Sequence, residues 1–243
     1  TAYIATSRAY ADRMAEYLGV DRGKIEVVYP GINLRGHGNP PPRPADRPPT
    51  VGYFARICRD KGFHNAVDAF VQLRRQPGAP AARLRAAGWL GASDRPYFHE
   101  QIKKLEAAGL AADFDHVDCP AHASKVRFLQ SLDLLTVPTS FAEPKGLYVL
   151  EAWANRVPVV QPRHGSFPEL VEATGGGLLV EPENPEALAV GLRTLLEDRE
   201  RAAELGRRGE AGLRERFTAA AMAKETVRFL ERILHPEPAA LHV

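Results

Sequence analysis

Apolar positions along the chain alternate between two patterns. Short runs at Val51 to Phe54, Leu84 to Ala87, Phe114 to Val117, Leu134 to Val137, Val159 to Gln161 and Leu178 to Val180 are too brief for helices and read as strands. Longer stretches of helical period separate them. Such alternation predicts a doubly wound, Rossmann-like α/β fold around a parallel six-stranded sheet. Parallel neighbours need long crossovers, and those crossovers lay helices on both faces of the sheet. Asn184 to Leu196, Glu200 to Phe217 and Ala219 to Leu234 then predict successive C-terminal helices, the first opening with Asn184 as N-cap, Pro185 behind it and Glu186 in the first turn. His235-Pro236-Glu237-Pro238 ends the last of them, and 236–243 reads as a tail.

Ahead of this alternation the pattern differs. Tyr3 to Ala5 reads as a strand, Arg8 to Leu18 as an amphipathic helix, and Ile25 to Tyr29 as a strand that stops at Pro30-Gly31. Residues 36–49 are then dominated by Pro and Gly, a linker composition that no helix interior or central strand accepts. The expected units are therefore residues 1–35, a linker over 36–49, and one main domain over 50–235. The strands of residues 1–35 have no sheet of their own to join. Since unpaired edges seek partners, this segment is expected to be conformationally insecure or to pack across a dimer.

Composition narrows the function classes. Hydrophobic residues make up 44% and charged residues 26%, which suits a globular domain. The 32 basic and 30 acidic side chains are well mixed, so no basic stripe proposes nucleic acid as a partner. Cys58 and Cys119 stand far apart without zinc spacing, so no disulfide framework or structural metal is expected and a reducing, cytoplasmic setting fits. No apolar run approaches the ~20 residues a spanning helix needs.

In an open α/β sheet, ligands bind outside the carboxyl ends of the strands, which directs attention to the loops there. The loop after Val51 to Phe54 carries Arg56 and Lys61, two cations able to converge on one anion beside a helix start. Read on spacing alone, they are equally two solvated surface charges. A second loop runs Thr139-Ser140-Phe141-Ala142-Glu143-Pro144-Lys145-Gly146-Leu147-Tyr148-Val149-Leu150-Glu151. The backbone N–H groups of Gly146, Leu147 and Tyr148 open a helix whose positive end favours a diphosphate. Glu151, a turn into that helix, suits ribose hydroxyls. Glu143, ahead of it, faces whatever lies beyond the phosphates, or simply complements the helix dipole. Trp89 and Trp153 read as packed core residues. His164 suits either a sugar contact or a structural tie.

The stretch from Glu143 to Gln161, followed by His164-Gly165-Ser166-Phe167-Pro168-Glu169, resembles the nucleotide-sugar signature of family-4-type retaining glycosyltransferases. Val51-Gly52-Tyr53-Phe54-Ala55-Arg56, with Lys61-Gly62 after it, resembles the same family's diphosphate loop, and the likeness runs on through Gly175-Gly176-Gly177. The resemblance implies the second half of a two-domain (GT-B) enzyme that moves a hexosyl group from a nucleoside-diphosphate sugar to an acceptor hydroxyl. Arg56 and Lys61 would hold the diphosphate, Glu143 the sugar and Glu151 the ribose. Cys119, Pro120 and His122 would lie against the base. No metal or other cofactor is implied. Residues 1–35 would be the end of an acceptor domain that is otherwise absent. That domain would receive a glycan, lipid or small molecule and could lie peripheral to a membrane.

The departures are Ala55, Asp118, Lys145 and Arg156, where the family pattern has Gly, Gly, a bulky residue and Gly. Arg156 calls for either a left-handed backbone or an Asn155 cap. Alternatives are a nucleotide-sugar-binding module without catalysis and a sugar-nucleotide epimerase. A nicotinamide enzyme is disfavoured because no G-x-G-x-x-G follows the first strand of the main domain.

Overall fold

The computed structural model describes residues 1–38, 40–41, 44, 46–119 and 121–235. Part of the expected linker, Pro120 and the expected tail lie outside the described residues.

The chain begins with β1 (Tyr3–Ala5), α1 (Arg8–Leu18) and β2 (Ile25–Val27). β1 and β2 pair in parallel with Tyr3 opposite Ile25, and α1 closes over them so that Ala5, Ala11 and Ile25 are buried together. Ser7 caps α1 by accepting from the Tyr10 amide, and Gly19 ends it in the left-handed region at φ 61°. The segment does not stand apart from the main domain. The Ile32 amide donates to the Phe217 carbonyl at 3.0 Å, the Ile32 carbonyl accepts from Ala219 at 2.9 Å, and Arg232 meets Glu26 at 2.6 Å.

The main domain follows as β3 (Thr50–Phe54), α2 (Phe63–Arg75), β4 (Arg83–Ala87), α3 (Arg95–Ala107), β5 (Phe114–Val117), α4 (His122–Gln130), β6 (Leu134–Leu135), α5 (Leu147–Trp153), β7 (Val159–Pro162), α6 (Phe167–Thr174), β8 (Gly177–Val180), α7 (Pro185–Glu197), α8 (Arg199–Arg216) and α9 (Ala219–Leu234). Its six strands are all parallel in the order β5-β4-β3-β6-β7-β8. This is the doubly wound α/β fold that the alternation predicts. The order turns back on itself between β3 and β6, the point at which an open α/β sheet takes its ligands.

Burial of the strands and their covering helices builds one core. Val51, Tyr53, Leu84, Leu134, Leu135, Val159 and Val160 are buried along the sheet. α2 lays Phe63, Val67, Phe70 and Leu73 inward and packs against α7. Each such side chain contributes roughly 1.5–3 kcal/mol by leaving water. Trp153 is fully buried, as expected, and its indole N–H donates to the Gly176 carbonyl at 2.8 Å. A Cβ on either Gly176 or Gly209 would fall 2.3 Å from that indole, so both glycines make room for it.

Four sequence expectations change in detail, the first being that β2, read as Ile25 to Tyr29, stops at Val27. Trp89 is not a core residue: it is 66% exposed. It follows Gly88 (φ 140°) just past β4, where the chain has already left the sheet and the ring lies over Gly91. β6 stops at Leu135 rather than Val137, because the Val137 amide is taken by the Gln161 side chain at 3.2 Å. Of the two solutions open to Arg156, the backbone takes the left-handed one (φ 57°). Asn155 is occupied elsewhere, donating to the Glu151 carbonyl at 2.9 Å.

Candidate functional site

The crevice is shaped first by a buried phenol. Tyr53, fully buried in β3, points its hydroxyl along the strand into the following loop, where it lies 2.9 Å from the Arg56 carbonyl and 3.2 Å from the Lys61 carbonyl. Burial pushes its pKa well above the usual phenol range, so it remains a donor. Both candidate cations are thereby anchored through their backbones. Gly62 (φ 70°) then lets this loop touch the one after β6, since a Cβ there would fall 1.7 Å from the Pro138 oxygen.

The loop after β6 brings Glu143 to Lys61. The ammonium and the carboxylate form a direct ion pair although they lie 82 positions apart, and Glu143 is only 5% exposed. Around this pair the Glu143 carboxylate also accepts from the Lys145 amide at 3.3 Å, the Gly146 amide at 3.5 Å and the Tyr148 hydroxyl at 3.3 Å. Burial and the nearby carboxylate raise the Tyr148 pKa well above its usual range, which keeps that proton in place. Lys61 further lies 5.0 Å from the Phe141 ring centre and 5.5 Å from that of Tyr148. Glu143 thus complements the start of α5, as one of its two readings has it, and pairs with a cation of the neighbouring loop.

A second cluster gathers one turn further along α5. Glu151 pairs with Lys125 of α4 at 2.6 Å, so the ribose candidate is tied to the helix that His122 begins. His122 itself is exposed, and its Nε2 donates to the Arg35 carbonyl at 2.7 Å. His37 stands edge-on to it at 5.2 Å and accepts at Nδ1 from Asn155 at 2.9 Å. Burial, followed by the neighbouring His122 and Lys125, lowers the His37 pKa to about 4. Cys119 is half-buried, its thiol pKa raised by burial and by Asp118.

The structure therefore brings Lys61, Glu143, Gly146, Leu147 and Tyr148 together at the start of α5, with Glu151 and His122 joined beyond them through Lys125. Arg56 stands exposed on the loop after β3. His164 is tied to the β6 loop, its Nε2 donating to the Thr139 carbonyl at 3.1 Å, and burial lowers its pKa. No role for Tyr53, Lys125 or His37 is read from the sequence: Tyr53 reads there only as a buried strand residue, and the partners of Lys125 and His37 lie 26 and 118 positions away. Sequence reasoning also misplaced Trp89, which lines an open cleft of about 470 Å³ with Phe98, His99, His116 and Asp118 beyond β4 and β5.

Comparison with known proteins identifies the family and the fold. The family model described as glycosyl transferases group 1 matches residues 40–212. The chain is 28% identical over 195 residues to a glycogen synthase of Mycobacterium tuberculosis (strain CDC 1551 / Oshkosh), covering 80% of this chain and 45% of that protein. It is 29% identical over 253 residues to an alpha-maltose-1-phosphate synthase of Mycolicibacterium smegmatis, covering 96% and 63%. The chain thus spans less than two thirds of either relative. Among solved structures, Anabaena HepE in complex with UDP and glucose superposes with a TM-score of 0.82 at 23% identity, over 94% of this chain and 62% of that one. That likeness shows a shared fold.

Proposed function

Because the chain belongs to the group 1 glycosyl transferases, we propose that it forms the donor-binding half of a retaining hexosyltransferase that uses a nucleoside-diphosphate sugar. The observation that carries this reading is the Lys61–Glu143 pair at the turn-back point of the sheet, a cation and a carboxylate held side by side. A diphosphate needs the first and sugar hydroxyls need the second. That a relative of the same fold was solved with UDP and glucose supports the assignment.

In this reading Arg56 and Lys61 grip the diphosphate and stabilise the charge that collects on it as the bond to the sugar breaks. The amides of Gly146, Leu147 and Tyr148 add donors. Glu143 accepts from the sugar hydroxyls and Glu151 from the ribose. The base lies near Cys119 and His122, with Trp89 on the neighbouring cleft. Two cations and a helix start supply the electrostatic stabilisation, so no metal ion is assigned to the phosphates. The acceptor, a glycan, lipid or small molecule, would be received by a facing domain of the whole protein.

The test is calorimetric titration of the chain with UDP, GDP, ADP and their glucose conjugates, alongside NAD. At least one nucleoside diphosphate should bind. Arg56→Ala should weaken it by about 1.5–3 kcal/mol, the worth of a hydrogen bond to a charged group. Binding of NAD in preference to every nucleoside diphosphate would overturn the proposal.

A further inference from the structure

Glu169 of α6 is a buried acid outside the Lys61–Glu143 pair, held by three hydrogen bonds and an ion pair with Arg8. It is only 6% exposed and closes the run His164 to Glu169 that resembles the family signature, with no donor contact implied for it there. Its Oε2 accepts from the Arg8 amide at 2.9 Å and from the Tyr29 hydroxyl at 2.6 Å, and its Oε1 accepts from the Ala9 amide at 2.9 Å. All three donors belong to residues 1–35. One carboxylate therefore satisfies the open amides at the start of α1 and a tyrosine just beyond β2.

Both structures that Glu169 joins also grip the Glu143 loop. On the α6 side, the Ser166 amide donates to the Glu143 carbonyl at 2.8 Å, immediately before the helix begins. Gly165 (φ 58°) packs so closely there that a Cβ would fall 2.5 Å from the Glu143 nitrogen and oxygen. On the α1 side, the Thr6 hydroxyl donates to the Pro144 carbonyl at 3.0 Å. The links close a ring: Glu143 to Ser166, along α6 to Glu169, across to Arg8 and Ala9, back through Thr6 to Pro144. Glu143 and Pro144 are thus held from both sides, and Glu169 fastens the two holders to each other.

We propose that Glu169 is a positioning residue, a latch through which residues 1–35 set the placement of Glu143 and hence the fit of the donor's sugar. The inference rests on the reading of Glu143 as the sugar contact. It makes the sugar end of the site responsive to a displacement of α1, through links that the ribose end, built on Glu151 and Lys125, does not share.

Hydrogen exchange on the ligand-free 243-residue chain tests the latch without reference to any ligand. In Glu169→Gln one acceptor oxygen becomes an NH2 group facing these donors. Exchange should rise at least threefold both in residues 5–12 and in residues 141–147, with residues 149–153 unchanged. Calorimetry should show a fall of threefold or more in affinity for the nucleotide sugar with little change for the bare nucleoside diphosphate. Tyr29→Phe and Thr6→Val, each removing one hydrogen bond, should reproduce the effect in smaller measure if Glu169→Gln folds poorly. Faster exchange confined to residues 1–35, with residues 141–147 and the sugar preference unmoved, would overturn the proposal. Should Glu143→Ala itself fail to separate the two ligands, the sugar reading fails, and the exchange result still decides whether the latch exists.

Discussion

At the residue scale, His37 shows how a side chain outside every recognised motif comes to matter. It packs beside His122 and accepts from Asn155, which needs the ring neutral at Nδ1. With its pKa lowered from 6.5 to about 4, the fold favours the neutral form. Stability from this source is complete above pH 6.5 and is lost as pH falls from 6.5 toward 4, because the unfolded chain binds the proton first. Melting temperatures of the native chain and His37→Gln, compared across that range, should converge as the solution is acidified. The carboxylates titrate alike in both chains and cancel. A difference that stays constant from pH 7 to pH 4 would show that His37 contributes nothing to the acid response.

The same scale shows where the sequence was informative. Glu143, Glu151, Arg56 and Lys61 stand out as candidates because they lie in loops whose position after a strand can be read from apolar runs, while the roles given to them rest on the family resemblance. Their pairings do not stand out. Lys61 meets Glu143 across 82 positions and Glu169 meets Arg8 across 161, and no periodicity carries such separations. Trp89 misled because an aromatic residue at a strand end is read as core by composition, whereas Gly88 and Gly91 carry the chain away from the sheet there. Arg156 was legible as a problem, since a bulky residue stood where the family has Gly, but the choice of backbone solution depended on Asn155 having other partners.

Elements were more readily inferred than contacts. β5, α1 and α9 have the predicted bounds, because amphipathic period and clear stop signals mark them. β6 was overextended because a side chain can take the place of a strand partner, and an apolar run does not distinguish the two. What positions the site at this scale is the contact of two loops, with Gly62 against Pro138. Gly62→Ala forces a Cβ into a carbonyl at a left-handed φ, so the loops must separate. The expected result is a loss of about 1–3 kcal/mol in unfolding free energy. Nucleoside-diphosphate affinity should fall more than for a stability-matched core variant such as Leu73→Ala. Unchanged affinity in a folded Gly62→Ala chain would mean that the loop contact does not set the diphosphate site.

For the molecule as a whole, the sheet turns back between β3 and β6, and the carboxyl ends of those strands carry the two halves of the site. The β3 loop carries Arg56 and Lys61, the β6 loop and α5 carry Glu143 and Glu151, and the Lys61–Glu143 pair joins the two loops. Residues 1–35 fasten to this body through Glu169 and Thr6 beside the Glu143 loop, and through Ile32 at the junction of α8 and α9. Among the described residues no helix is long and apolar enough to cross a membrane.

The central claim divides the donor among three side chains, and calorimetric titration of Glu143→Ala, Glu151→Ala and Arg56→Ala with a nucleoside diphosphate and its sugar conjugate tests that division directly. Glu151→Ala removes a hydrogen bond common to both ligands, so both affinities should fall together by ~1.5–3 kcal/mol, and Arg56→Ala should likewise weaken both. Glu143→Ala should weaken the sugar conjugate while leaving the bare diphosphate nearly unchanged or slightly tighter, since it frees Lys61 from its carboxylate. An equal loss for both ligands in Glu143→Ala would contradict the account and return Glu143 to the role of a helix-start acid.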